Sequence, residues 1–288
     1  MGSFKPDRVA LLVHWMVKRE EARVNKEADH PKPYTDDPIV QTTRFCNVRR
    51  LDDRVSRWLL EHWYAEGGQS PKQILVNAGI ARLINWPDTL QFFKAEKVHE
   101  KWNRKRATAA LERAKATGKV FTGAYIINGL AGQDKCTTVL DQFDALHDAG
   151  MSVVDTTSMS KTHKQLQTLK GFGSFISGQV VADLRHVLPG EWGDRNTWAP
   201  KGPGSLRGMN WLLGWNGEPE PLQPISQPDF ENMLRSLGSV LRSTAAWPIV
   251  VERRLEMHDL QNVLCETDKY LRLKFGTGRA KNHFAGTP

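Results

Sequence analysis

The sequence predicts a mainly α-helical fold with room for a minor β element. Apolar residues recur at three- and four-residue spacing along most of the chain, and cap and breaker residues flank those stretches. One stretch, Val120 to Ile127, reads equally as a short strand or a buried helix.

In order, residues 7–24 carry Val9, Leu12, Val13 and Met16 on one face and end before the proline-containing polar stretch 29–38. A second helix is expected from Leu51 to Glu66, with Leu51, Val55, Trp58, Leu59 and His62 in phase and Gly67-Gly68 as its stop. Ser70-Pro71 restarts a helix, because a serine cap before a first-turn proline satisfies free N–H groups without losing a bond. Trp86-Pro87 breaks it, and one long basic helix is expected over 88–117. Helices at 134–148 and up to Leu169 follow. Residues 190–204 and 214–228 read as irregular, and helices at 229–243 and 257–274 finish the chain before Gly276 and Gly278. The organisation expected is an N-terminal helix and polar linker at 1–39, then a helical domain over 40–288, possible as two interlocked lobes.

Composition excludes several classes. With 288 residues and 40% hydrophobic side chains, the chain can bury a core without disulfides or metal. Its three cysteines make no framework, and its nine histidines make no metal-binding spacing. No apolar run approaches the roughly 20 residues a membrane helix needs, and the N-terminus lacks a signal pattern, so a cytoplasmic protein is expected; a monomer is the expectation for its assembly, although no residue pattern sets it. The net charge of +8 suits a polyanionic partner and also suits plain solubility.

Residues 166–182 are the most informative local pattern. Leu166 and Leu169 close one helix, Gly171 and Gly173 permit a tight reversal, Phe172 plugs the angle, and Ile176, Val180 and Leu184 line the next helix. This is the form of a helix-hairpin-helix, spanning 160–186. The N–H groups of Gly173 and Ser174 would meet a DNA phosphate, although an ordinary tight connection has the same pattern.

Charged groups cluster elsewhere. Arg44 to Arg57 holds five arginines and two aspartates; on one helix Arg50, Arg54 and Arg57 align, and Arg49 pairs with Asp53. Such a ridge clamps phosphates or forms a solvated salt-bridged face. Asp183, Arg185 and His186 follow the hairpin. Asp194 precedes Trp198-Ala-Pro-Lys-Gly-Pro-Gly-Ser-Leu-Arg-Gly208, where Ser205 is expected to cap a helix beginning near Leu206 and, with Arg207 and Asn210, to form an anion pocket. Glu266, Asp268 and Lys269 interrupt an apolar helix, with Asp268 and Arg272 as i,i+4 partners. No Gly-x-x-x-x-Gly-Lys-Ser/Thr string occurs, so a conventional nucleotide-binding loop is absent from this sequence.

Five strings occur in order: Asn47-Val-Arg-Arg-Leu-Asp-Asp-Arg54, Thr122-Gly-Ala-Tyr-Ile-Ile127, Gly171-Phe-Gly-Ser-Phe with Gln179-Val-Val-Ala-Asp-Leu-Arg185, Gly202-Pro-Gly-Ser-Leu-Arg-Gly208, and Leu264-Cys-Glu-Thr-Asp-Lys-Tyr270. Together they resemble the alpha-glutamyl/putrescinyl thymine pyrophosphorylase family. That family is also described through a helical domain of the 5-hydroxymethyluracil DNA kinase type and includes bacteriophage amino acid:DNA transferases.

The resemblance implies a helix-hairpin-helix DNA glycosylase-like fold. It implies an enzyme that replaces the (pyro)phosphate of 5-(pyrophosphooxymethyl)uracil in double-stranded DNA by an amine, from an amino acid or a polyamine, after a separate P-loop kinase has activated the base. Base excision and non-catalytic DNA binding are the alternatives. Under this reading Asp183, Asp194, Asp268 and Lys269 serve proton transfer. Asn47, Arg49, Arg50, Arg54, Ser205, Arg207, Asn210 and Arg272 hold substrate or pyrophosphate. Gly171, Gly173, Ser174, Arg185 and Trp198 contact DNA. No cofactor is called for, beyond a divalent cation that would accompany pyrophosphate.

Overall fold

A computed structural model describes residues 3–65, 67–123 and 132–278. The helices are α1 (Pro6–Glu27), α2 (Pro38–Thr42), α3 (Arg54–Trp58), α4 (Pro71–Ile84), α5 (Pro87–Ala95), α6 (Arg104–Thr117), α7 (Lys135–Ala149), α8 (Met159–Leu166), α9 (Ser174–Val187), α10 (Pro203–Leu213), α11 (Gln227–Leu241) and α12 (Met257–Lys274). The fold is all-α, with no strand among the described residues. Most of the ambiguous stretch 120–127 lies outside them, and residues 120–123 are neither helix nor strand.

The chain divides into two compact units, one of residues 1–53 with 196–288 and the other of residues 54–195. In the first, α1, α10, α11 and α12 share a core containing Leu12, Trp15, Met16, Trp211, Phe230, Leu237 and Leu264. Helices α10 and α12 pack backbone to backbone: a Cβ on Gly208 would lie 2.1 Å from the Leu264 carbonyl oxygen. Only glycine fits there.

In the second unit α4 is the central rod, buried over nearly its whole length. It carries a polar ladder. Gln73 Nε2 donates to Asn77 Oδ1 (2.9 Å) and to the Val98 carbonyl (3.1 Å), Gln73 Oε1 accepts from Trp102 N (2.7 Å), and Asn77 Nδ2 donates to the His99 carbonyl (2.8 Å). These bonds pin residues 98–102 to α4, which is why the expected single helix over 88–117 is two. Lys97 turns the chain at φ 57°, and Asn103 caps α6 by accepting from Arg106 N.

The expected helix from Leu51 to Glu66 also divides. Arg50–Asp52 is a 3₁₀ turn, Asp53 is extended at ψ 136°, and α3 runs into a π-turn at Leu59–Trp63. Arg50, Arg54 and Arg57 therefore do not form one helical ridge. The segment expected to run to Leu169 ends as helix at Leu166. Ser205 is not the cap of α10: Gly202 is, and Ser205 sits three residues inside, its Oγ accepting from Gly202 N (3.0 Å). The last helix has the bounds its spacing predicts.

Candidate functional site

The hairpin lies in the second unit between α8 and α9. Gly171 takes φ +86°, and its carbonyl accepts from Gln142 Nε2 on α7 at 2.8 Å. A Cβ at Gly171 would lie 2.3 Å from that same nitrogen, whereas one at Gly173 would meet nothing within 4 Å. Phe172 is buried in the angle, and Gly171, Gly173 and Ser174 are exposed. Beneath the turn, His163 Nε2 donates to the Ser174 carbonyl at 2.9 Å while Gln167 Nε2 donates to His163 Nδ1 at 3.1 Å. Burial holds the His163 pKa below its ordinary value, so the ring is neutral and fixed in one tautomer. The hairpin thus presents open backbone at the start of α9, with its donors supported from below.

Two carboxylates predicted for this unit are engaged. Asp183 forms a bidentate pair with Arg82 of α4 and accepts from the Tyr64 hydroxyl at 2.8 Å; both charged side chains are more than nine-tenths buried. Burial first, and the Asp183 charge second, push the Tyr64 pKa well up, so the phenol keeps its proton and donates. Asp194 accepts from Ser158 Oγ (2.9 Å), Met159 N (2.7 Å) and Ser160 N (2.9 Å), which closes the start of α8. Arg185 is buried, with Nε donating to His186 Nε2 at 3.0 Å, and Arg54 is exposed.

The first unit holds a second charged assembly, open to solvent at Cys46. The backbone at Cys46 and Asn47 organises it. Cys46 N donates to Glu266 Oε2 (3.1 Å), Asn47 N donates to Asp53 Oδ1 (2.9 Å), and the Cys46 carbonyl accepts from Arg19 Nε (3.2 Å). Lys269 Nζ bonds Glu266 at 2.7 Å, and Arg50 N donates to Asp259 at 2.9 Å. Burial pushes the Asp53 carboxyl up to about 6, against the pull of the Asn47 N–H and of the Arg50 and Arg19 charges. The facing Glu266 charge, then burial, push the Cys46 thiol well up, so it stays protonated at neutral pH. Burial likewise lifts Cys265 to about 11.

The other predicted residues of this unit are distributed around it. Asp268 is buried and accepts from Arg207 Nε (2.9 Å), Arg272 Nε (3.3 Å) and Trp211 Nε1 (3.2 Å). Ser205 and Asn210 are buried, Asn210 fastening the following loop by bonding Gln223 N and the Gln223 carbonyl. Asn47 bonds the Asp52 carbonyl, and Arg49 lies 3.8 Å from Asp52 rather than pairing with Asp53. Trp198 is buried edge-on against His258. Among the described residues no cluster of His, Cys, Asp and Glu is arranged to hold a metal ion, and no helix is long and apolar enough to cross a membrane.

The family described as "5-hmdU DNA kinase, helical domain" matches residues 7–280. The chain belongs to this family. It is 27% identical over 269 residues to a Bacillus phage SP10 protein described as a 5-hmdU DNA kinase, an alignment covering 83% of this chain and 41% of that relative. This helical domain thus spans about two-fifths of the relative's length. No solved structure matches it.

Sequence reasoning passed over Arg19, Glu266 as a site residue, and Asp53 as an acid. Arg19 and Asp53 lie far apart in sequence, and no spacing links them. Arg82 left a signal: a lone charge inside the apolar run Ile80-Ala81-Arg82-Leu83-Ile84 must find a buried partner.

Proposed function

We propose that this helical domain acts on 5-hydroxymethyluracil in bacteriophage DNA, and that it is the transferase that joins an amine to the activated base. The family match over residues 7–280 carries the substrate class. The open assembly at Cys46, Asn47 and Asp53 supports catalysis rather than binding alone, because it offers a carboxylate with a pKa of about 6 beside fixed cations. The hairpin at Gly171, Gly173 and Ser174 offers open N–H groups to the DNA backbone, and the reacting nucleotide is turned out of the stack to reach protein groups.

In the reaction the nitrogen lone pair of a neutral amine forms a bond to the C5 methylene. The methylene C–O bond breaks, and its electrons leave with pyrophosphate. Asp53 takes the proton that the nitrogen sheds, and a carboxylate near pH 6 does this without remaining protonated at neutral pH. Arg50 and Arg49 offset the charge that grows on the departing pyrophosphate. A divalent cation would travel with pyrophosphate. Under this reading a P-loop kinase activity, for which residues 1–288 hold no Gly-x-x-x-x-Gly-Lys-Ser/Thr loop, supplies the activated base.

The test combines the protein with duplex DNA carrying confirmed 5-(pyrophosphooxymethyl)uracil and a panel of amino acids and polyamines, followed by digestion to nucleosides and mass analysis. An amine-linked thymidine is expected. Release of free base would establish excision instead, and tight DNA binding with neither product would leave a binding module.

A further inference from the structure

The hairpin is not the only feature of the second unit suited to a nucleic-acid backbone. Residues 94–119 hold nine lysines and arginines against three glutamates, the densest basic stretch of the unit. The first turn of α6 is Arg104-Lys105-Arg106 with no acidic residue, so three cations sit at the positive end of the helix dipole. Arg104 is compensated: it bonds Asp141 at 2.7 Å and also Asp144, both on α7, while Trp102 Nε1 donates to Asp144 at 2.9 Å. Lys101, Lys105 and Arg106 are exposed, and no ion pair engages them among the described residues. Even counting both aspartates, the local balance stays positive.

The scaffold places this turn in a fixed relation to the hairpin. Asp141, which holds Arg104, and Gln142, which holds the Gly171 carbonyl, are consecutive residues of α7. Both anchors are therefore set by one rigid helix, with a rise of about 1.5 Å between them. Two features tied to one helix, one of open N–H groups and one of unpaired cations, suit a ligand that carries regularly spaced negative charge.

We propose that Lys105 and Arg106, with Lys101, form a second DNA contact that grips duplex phosphates beyond those met by the hairpin. The proposal rests on the DNA-binding reading above and adds to it the surface that extends the footprint. Such contacts position the duplex and carry no sequence information. They release counterions, so they register in the salt dependence of binding.

The test titrates the full chain against a fluorescent duplex of about 30 base pairs and plots log Kd against log salt. Removing two phosphate contacts with Lys105→Ala/Arg106→Ala reduces the slope by about 1.8, at roughly 0.9 per contact. Affinity at low salt is expected to fall by more than tenfold. The charge-keeping swap Lys105→Arg/Arg106→Lys retains the wild-type slope, which separates charge from folding. Ser174→Asp is the companion variant: an aspartate in the first turn of α9 suits that helix end but repels a phosphate at the hairpin. If Ser174→Asp weakens binding while Lys105→Ala/Arg106→Ala leaves the slope unchanged, this second contact is refuted and the hairpin reading stands. If the wild-type chain does not bind duplex DNA at all, both fall.

Discussion

The two charged assemblies of this protein use similar side chains under different conditions. In the second unit Arg82 and Asp183 meet as a bidentate pair sealed from solvent, with the Tyr64 hydroxyl filling a remaining acceptor site. In the first, Asp53 and Glu266 share a recessed backbone segment with Arg19, next to a solvent-exposed Cys46. The closed pair joins α4 to α9 through two guanidinium bonds, with one phenol hydroxyl beside them. The open one leaves Asp53 raised to about 6, where small changes move its charge. Burial with full pairing fastens helices; burial with incomplete pairing makes an acid responsive.

The largest effect should come from Asp53→Asn. Loss of the base is expected to slow amine transfer by ~10²–10⁴-fold, measured as amine-linked nucleoside per unit time. The same change should stabilise the fold at neutral pH. A folded carboxyl at about 6 binds a proton that the unfolded chain, near 3.8, has already lost, so stability falls as pH rises through that window. That penalty is at most about 3 kcal/mol, at 1.36 kcal/mol per unit. Urea titrations at pH 4 and pH 7 check it: Asp53→Asn should raise stability relative to the wild type more at pH 7 than at pH 4.

Asp183→Ala should behave in the opposite way. It strands the buried Arg82 guanidinium and is expected to cost about 3–5 kcal/mol in urea unfolding. Gly171→Ala comes next. It combines an unfavourable φ of +86° with the Gln142 side chain where its Cβ would go, so about 1–3 kcal/mol is expected, together with weaker duplex binding in a fluorescence titration. Cys46→Ala should do least. Cys46 is an exposed residue, but its thiol is pushed well up in pKa, so transfer should change by no more than a few-fold and iodoacetamide should label the wild-type thiol slowly at pH 7.

The contrast also explains what was legible in the sequence. Helix ends set by local chemistry were readable: Ser70 accepts from Gln73 N ahead of Pro71, and α12 has the bounds its spacing predicts. Boundaries set by distant partners were not. The break between α5 and α6 depends on Gln73 and Asn77 of α4, and the turn at Arg50 ahead of Asp53 is held by Asp259 of α12. The hairpin was visible because its glycines, Gly171 and Gly173, flank a single residue. The Asp53 assembly joins α1, the 46–53 segment and α12, and residues joined only by folding share no spacing. Isolated acids such as Asp183 and Asp194 stand out in a sequence, yet the fold gives each a full set of donors.

The measurement closest to the centre of this account is the pH profile of single-turnover amine transfer for the wild type and Asp53→Asn. The wild-type rate should gain an additional acidic limb below a break near pH 6, and the variant should lose that limb while keeping the slope that amine deprotonation imposes. Identical profiles for the two proteins would contradict the assignment of chemistry to the open assembly.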